Sequence, residues 1–312
     1  MSAPPATAEP PREQTTLGRK VGVYLEMIKF GHTVFALPFA LAALAIAIRR
    51  IGAVRPLDVL GVLLCMVFAR TAAMGFNRWA DRDVDAANPR TAGRAIPAGL
   101  LSSGQVIVFT IGAAVAFVAS TGLFWLSSAN YWPAVFALPL LAFLGGYSYA
   151  KRFTWGSHLW LGLALAGSPL GVWIALLPPG SWQPPFALGA AIACWVAGFD
   201  ILYACQDIEY DRAAGLRSLP ARLGMDGAFR VARGLHAAML AALVWFGFAT
   251  PELGTWYWIG LVGAAALLAT QHWLVRGRDL GRINLAFLWV NGAISLGLLA
   301  TVMLDLFAPI GR

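Results

Sequence analysis

Apolar residues in this chain run in blocks too long and too unbroken to be one face of a soluble helix. Nine such blocks lie at roughly residues 30–48, 57–76, 104–126, 131–150, 157–177, 186–205, 228–249, 255–275 and 284–306. Each approaches the ~20 residues that carry an α-helix across a hydrocarbon layer. The connections between them are short and rich in Gly, Pro and Arg. The pattern predicts an all-α, polytopic membrane protein of nine transmembrane helices in one domain, residues 25–306. Residues 1–24 are Pro-rich and polar and read as a disordered tail, and 307–312 as a short C-terminal tail. The first apolar block opens only after Lys29 and is too long for a cleavable leader, so it reads as a retained anchor.

Composition supports this class. The chain of 312 residues is 59% hydrophobic and only 12% charged, where a soluble domain carries about 25% charged residues. The net charge of +8 gains meaning from its placement. With the N-terminus inside, nearly all Lys and Arg fall in cytoplasmic segments. Only Arg49, Arg50, Arg55 and Arg312 fall outside, and Arg70 and Arg233 lie within helices. Basic loops face inward, which predicts a multi-pass protein of the cell (inner) membrane with a cytoplasmic N-terminus. The basic residues are spread over loops and mixed with acids, which argues against nucleic-acid binding. Cys65, Cys194 and Cys205 lie in apolar blocks without metal or disulfide spacing.

The chemistry concentrates in two acidic motifs, each directly after an apolar block. The first runs Asn77-Arg-Trp-Ala-Asp81-Arg-Asp-Val-Asp85, the second Asp200-Ile-Leu-Tyr203-Ala-Cys-Gln-Asp207-Ile-Glu-Tyr-Asp211. On a helix, i, i+4 residues share a face about 6 Å apart. Like charges at that spacing repel by a few tenths of a kcal/mol, so a repeated pair implies a compensating cation. Mg²⁺ fits, since it binds carboxylates together with substrate phosphates. Asp83 and Glu209 lie around the helix from their neighbours and read as solvent-facing. Both motifs close blocks that the charge pattern opens to the cytoplasm.

Other ionisable residues join them at membrane depth, where such groups cost about 2.5–3.5 kcal/mol each and read as functional. Lys29 and His32 open the first block and Arg70 lies inside the second. Arg90 and Arg94 occupy the loop Asn88–Gly99, and Tyr147 and Lys151 share a face at the end of the fourth block. His272 and Asn291 stand alone in late blocks and read as interhelical hydrogen-bonders. The picture is a layered cavity. Acids with Mg²⁺ and basic side chains gather at its mouth, as a diphosphate requires. A deeper lone Arg suits a small carboxylate, and apolar walls suit a hydrocarbon tail from the bilayer.

These residues resemble the UbiA superfamily of intramembrane prenyltransferases from about residue 25 to 306. The likeness rests on Asn77, Asp81 and Asp85; on Asp200, Tyr203, Asp207 and Asp211; on Tyr147 and Lys151; and on the loop from Arg90 to Gly99. It implies nine helices around a central cavity with a cytoplasmic cap, and Mg²⁺-dependent transfer of a polyprenyl group from an allylic diphosphate to an aromatic acid of the 4-hydroxybenzoate type, in quinone biosynthesis. Metal would be held by Asp81, Asp85, Asp207 and Asp211, with Asn77 assisting, and diphosphate neutralised by Arg94 and Lys151. Tyr147 would steady the allylic cation. Arg70, with Lys29 as second candidate, would orient the acceptor carboxylate, and Asp200 and Tyr203 would complete the substrate site. Arg78 departs from the family pattern, in which many 4-hydroxybenzoate prenylators carry Asp after the motif Asn. The run Lys29–Ala40 resembles a menaquinone-linked branch made by the futalosine route, which makes a naphthoate acceptor the alternative. A rival of another class is a cation-coupled transporter, whose site would lie near the midplane on broken helices.

The charge asymmetry makes a prediction of its own. Reporter fusions after Arg94 and after Arg217 should both read cytoplasmic, and one near Ser127 should read external. Opposite readings for the two acidic loops would prevent them from forming one site.

Overall fold

The computed structural model describes residues 17–29, 35–53, 55–177, 180, 182–275 and 286–310. Its described residues form helices and no strand. In chain order these are α1 (Leu17–Met27), α2 (Leu37–Ile51), α3 (Pro56–Ala80), α4 (Arg82–Ala87), α5 (Ser103–Ser128), α6 (Trp132–Tyr147), α7 (Ala150–Phe153), α8 (Ser157–Leu176), α9 (Gln183–Ala204), α10 (Ile208–Ala213), α11 (Leu219–Ala249), α12 (Thr255–Val275) and α13 (Asn291–Phe307). A π-helical turn, Ala286–Val290, leads into α13.

Seven of these elements are long and apolar enough to cross a membrane: α3, α5, α8, α9 with its continuation to Ala213, α11, α12, and the stretch Leu288–Phe307. The first and fourth predicted blocks also carry helices, but shorter ones. Here α2 spans 15 residues and α6 spans 16. Arg49, Arg50 and a left-handed Gly52 close α2, while α6 starts only at Trp132 and stops at Tyr147. By length alone the described residues therefore support seven spans where apolar blocks predicted nine. His32 lies outside the described residues.

Local chemistry sets the boundaries. Ser102 caps α5 through a reciprocal pair of bonds with Gln105, and Ser218 caps α11 by accepting from the Ala221 N–H. Proline opens α2, α3, α6, α9 and α11, where its missing N–H costs nothing. The helix α11 is kinked at Gly224, whose φ of 69° suits a residue without Cβ.

The bundle is organised on α9. Of its most apolar stretch 72% is buried, against 28–50% in the other spans, whose outer faces are left to lipid. It packs along α8 on one side and α11 on the other. Small residues permit the closeness. A Cβ on Gly162 of α8 would lie 2.2 Å from the Ala193 carbonyl oxygen of α9, and one on Gly198 of α9 would lie 2.4 Å from His236 Nε2 of α11. Close approach of this kind drives helix association where lipid removes the hydrophobic advantage. The two late polar residues behave as their sequence setting predicts. Trp195 Nε1 donates to Asn291 Oδ1 at 3.0 Å, and His236 and His272 share a 2.8 Å hydrogen bond. A second pairing, α3 with α5, stands across from α8, and α6 leans on α3, α5 and α8. Helices α3, α5, α6 and α8 thereby wall the interior space that the site occupies.

Gly162→Ala should lower thermal stability in detergent by about 1–3 kcal/mol, because a backbone carbonyl cannot yield to the new methyl. Gly171→Ala on the same helix, with nothing within 4 Å of the added carbon, should leave the melting temperature unchanged or slightly higher. Equal behaviour of the two variants would remove the close contact from this account.

Candidate active site

Both acidic motifs break their helices at the same residue. Helix α3 ends at Ala80, and Asp81 follows at φ −96°, ψ 5° before α4 begins. Helix α9 ends at Ala204; a single 3₁₀ turn, Cys205–Asp207, brings Asp207 to φ −107°, ψ 8° before α10 begins. The first metal-candidate aspartate of each motif thus sits in the sparsely populated bridge region where active-site residues are often found. The shared face expected from i, i+4 spacing persists across the first break. Asn77 Nδ2 donates to Asp81 Oδ2 at 2.7 Å, and the Asp85 N–H donates to the Asp81 carbonyl at 2.7 Å.

Each of the four aspartates is held by its own base. Arg152 Nη2 caps the Ala80 carbonyl at 2.8 Å and reaches Asp81 Oδ1 at 3.3 Å. Arg94 Nη1 donates to Asp85 Oδ1 at 2.6 Å. Arg90 grips Asp207 with both edges of its fork, Nε to Oδ1 at 2.7 Å and Nη2 to Oδ2 at 2.6 Å, and Asn88 adds a bond of 3.3 Å. Lys151 Nζ donates to Asp211 Oδ2 at 3.2 Å. The loop that follows the first motif therefore binds the second, and Tyr210 Oη returns the connection by donating to the Val84 carbonyl at 2.8 Å. Burial holds the Asp81 carboxyl above the usual range, opposed by the hydrogen bond from Arg152 and the repulsion of Asp85 adding to the rise. Burial also weighs against charge on Arg90, but its bonds to Asp207 prevail and raise it.

The space between these groups is a polar cavity of about 280 Å³. Asp81, Asp85, Asp200, Asp207 and Asp211 line it, as do Arg70, Arg78, Arg90, Arg94, Lys151 and Arg152, so bases outnumber acids by one. Asn77, Tyr147 and Tyr203 complete the predicted set on its wall. An apolar cavity of about 230 Å³ adjoins it, lined by α3, α5, α6 and α8. Arg70, Asn77 and Tyr147 border both and mark the junction. Arg70 Nη2 donates to the Lys29 carbonyl at 3.0 Å, while its buried Nε has no partner.

Lys29 is the exception among the predicted residues. Its side chain pairs with Glu26 one turn back on α1 and lines neither cavity, so only its carbonyl reaches the site, through Arg70. A local i, i+3 pair from the last turn of α1 to the residues just past it holds the ammonium away from both cavities. Arg90, which the sequence leaves open between phosphate contact and turn cap, is the bidentate partner of Asp207.

Four further residues matter that the motifs do not single out. Arg78 is buried, donates from Nη1 to Asn77 Oδ1 at 3.1 Å and lines the cavity. Arg152 and Asn88 hold motif acids as described. His158 is fully buried on α8, and its Nδ1 lies 2.7 Å from Asp200 Oδ2. A histidine inside an apolar block carries the signal of any intramembrane ionisable group, but nothing nearby in sequence names its partner.

No three acidic, His or Cys groups gather at metal-binding distance among the described residues. The ion pairs explain this, since each carboxylate is drawn toward its own base. The donor set nevertheless suits a hard cation. Four carboxylates face one cavity, and the buried Asp85 Oδ2 has no hydrogen-bond partner.

Comparison with known proteins agrees with this geometry. The model of the UbiA prenyltransferase family matches residues 36–299. A 4-hydroxybenzoate octaprenyltransferase of Pseudomonas fluorescens (strain Pf0-1) is 33% identical over 245 residues, 76% of this chain and 78% of its own. Another, of Xanthomonas campestris pv. campestris (strain B100), is 33% identical over 260 residues, 81% of this chain and 83% of its own. The apo structure of a UbiA homolog from Aeropyrum pernix K1 superposes with a TM-score of 0.77 at 29% identity, over 88% of this chain and 98% of that one. A UbiA homolog from Archaeoglobus fulgidus bound to GPP and Mg²⁺ shares the fold, with a TM-score of 0.63 at 19% identity, over 91% of this chain and 99% of that one. These likenesses favour the enzyme over the cation-coupled transporter. Two acidic motifs joined over one cavity, a matching fold and relatives along most of the chain lead to one conclusion: the protein belongs to the UbiA prenyltransferase family and is a membrane prenyltransferase.

Proposed function

We propose that the protein transfers a polyprenyl group from an allylic diphosphate to a hydroxylated aromatic acid of the 4-hydroxybenzoate type, with Mg²⁺, at the cytoplasmic side of the inner membrane. The observation that carries this reading is the one-to-one pairing of four motif carboxylates with four bases on the wall of a polar cavity that opens onto an apolar one. The names of the relatives support the acceptor class. A naphthoate acid is the second reading, suggested by the run Lys29–Ala40 and by Arg78 standing where many 4-hydroxybenzoate prenylators carry Asp.

Asp81, Asp85, Asp207 and Asp211 would hold the metal, beside Asn77, and the bound ion supplies positive charge to the leaving diphosphate. With the four carboxylates given over to the ion, Arg90, Arg94, Lys151 and Arg152 would be free to bind the diphosphate oxygens. These bases are the accessible partners: their side chains are 28–41% exposed, against 3–24% for the acids they hold. Bases already outnumber acids on the wall, so metal without diphosphate leaves an excess of positive charge, and diphosphate without metal leaves the bases shared. Each ligand therefore favours the other.

The allylic C–O bond then breaks, its electron pair leaving with the diphosphate. A π pair of the acceptor ring forms the new C–C bond, and the ring carbon loses its proton. Tyr147, at the junction, offers its ring face to the allylic cation, an interaction worth about 2 kcal/mol when desolvated. Arg70 receives the acceptor carboxylate through the edge that includes its unpartnered Nε. Asp200 accepts the hydrogen bond of the acceptor hydroxyl. Tyr203 steadies Arg90, which lies over its ring at 5.5 Å. The apolar cavity takes the chain and keeps water from the cation.

The test is release of diphosphate by the purified protein supplied with a polyprenyl diphosphate, 4-hydroxybenzoate and Mg²⁺; a hydroxynaphthoate in competition ranks the two acceptor readings. Asp81→Ala or Asp207→Ala should abolish turnover in a folded protein. Arg70→Ala should raise the acceptor KM and leave the diphosphate KM nearly unchanged, with about 30- to 150-fold lower kcat/KM for the acceptor. Near-normal turnover in either Asp variant at saturating Mg²⁺ would remove the metal assignment. An unchanged acceptor KM in Arg70→Ala would remove the carboxylate site.

A further inference from the structure

Five carboxylates line the polar cavity, and Asp200 is held differently from the other four. Those four pair with Arg or Lys side chains that also line the cavity. The partner of Asp200 is His158, which is fully buried and lines neither cavity. We infer that His158 is the positioning residue of acceptor recognition: its Nδ1–H fixes one oxygen of Asp200 so that the carboxylate presents a constant acceptor to the hydroxyl of the aromatic substrate. This deepens the function proposed above and rests on it.

The hydrogen-bond chain fixes the tautomer. The backbone N–H of Leu219 points at His158 Nε2 at 3.4 Å. A backbone N–H only donates, so Nε2 must accept, and the ring proton is left on Nδ1, facing Asp200 Oδ2 at 2.7 Å. Leu219 is the first residue of α11, and its N–H is among those a helix start leaves without an internal partner. His158 therefore meets Asp200 as a hydrogen-bond donor through Nδ1.

The contrast with the other pairs has a functional consequence. Diphosphate can draw an arginine or lysine away from its aspartate, because those bases are reachable from the cavity. It cannot reach a ring fully buried among α8, α9 and α11. The geometry of Asp200 is thus insulated from the exchange of charge partners next to it. About 20% of the Asp200 side chain remains exposed, on a residue of the cavity wall. A carboxylate fixed at one oxygen and open to the cavity is suited to accept from a phenolic hydroxyl.

A purely structural His158 would join three helices and affect all ligands alike, and the test separates the two roles. The full-length enzyme is assayed with geranyl diphosphate, Mg²⁺ and 4-hydroxybenzoate, and benzoate, which lacks the hydroxyl, is titrated as an inhibitor. His158→Phe should lower kcat/KM for 4-hydroxybenzoate by about tenfold or more, the scale of one charge-assisted hydrogen bond. The KM for geranyl diphosphate and the inhibition constant of benzoate should stay within about twofold of wild type. His158→Asn, whose amide nitrogen occupies the place of Nδ1, should restore most of the loss. Equal weakening of 4-hydroxybenzoate and benzoate, a parallel rise in both substrate KM values, or no recovery in His158→Asn would overturn the inference. If His158→Phe fails to fold, His158→Gln replaces it. Its amide reaches the Nε2 position, so it should lose the discrimination between the two acids that His158→Asn keeps, and equal discrimination by the two amides would overturn the inference. A wild-type enzyme without Mg²⁺-dependent diphosphate release would instead refute the proposed function, leaving the two failures distinct.

Discussion

Neutralisation of the four motif aspartates is the constraint on which this structure turns. Carboxylates at the edge of a lipid-facing bundle are costly unless paired, and here each is paired with a base from a different segment. The pairs do more than cancel charge. Arg90, from the loop after α4, clamps Asp207 beyond α9, and Lys151 of α7 reaches Asp211 of α10. Segments 117 and 60 residues apart are thereby tied over one cavity, and the helix breaks at Asp81 and Asp207 become tolerable because the freed groups find partners.

The same pairing makes the site responsive to ligands. A carboxylate bound to an arginine is a poor metal ligand, and an arginine bound to a carboxylate is a poor phosphate ligand. Under the proposed function, metal and diphosphate relieve both conditions together, which couples their binding without any large motion of the bundle. Asp200 stands outside this exchange. With its buried partner it would stay fixed while its neighbours change partners, so that on the proposed reading acceptor recognition and diphosphate chemistry proceed side by side.

Much of this was legible in the residues. Hydrophobic blocks announce membrane helices because lipid requires length and lack of charge, and that demand leaves little room for ambiguity. It says less about how each block ends, so α2 and α6 came out shorter than their blocks. The site residues were legible because ionisable groups are rare at depth and the two motifs repeat one spacing. The side chain of Lys29 stands apart from the cavities because position in the sequence does not fix where a flexible ammonium finds its counter-ion, and here it pairs with Glu26. His158 escaped notice for the opposite reason. Its partner lies 42 residues away on another helix, and the backbone donor that fixes its tautomer lies 61 residues away. Pairings of that kind are set by helix packing, through contacts such as Gly162 against Ala193, and no local pattern encodes them.

The central claim is that acids and bases of one cavity exchange partners when metal and diphosphate bind together. Calorimetric titration of Mg²⁺ into the purified protein, with and without a non-reactive analogue of the prenyl diphosphate, measures it directly. The account predicts weak Mg²⁺ binding alone, strengthening by about 5- to 150-fold with the analogue, and an equal gain in analogue affinity when Mg²⁺ is present. Mg²⁺ binding of the same strength in both titrations would contradict it.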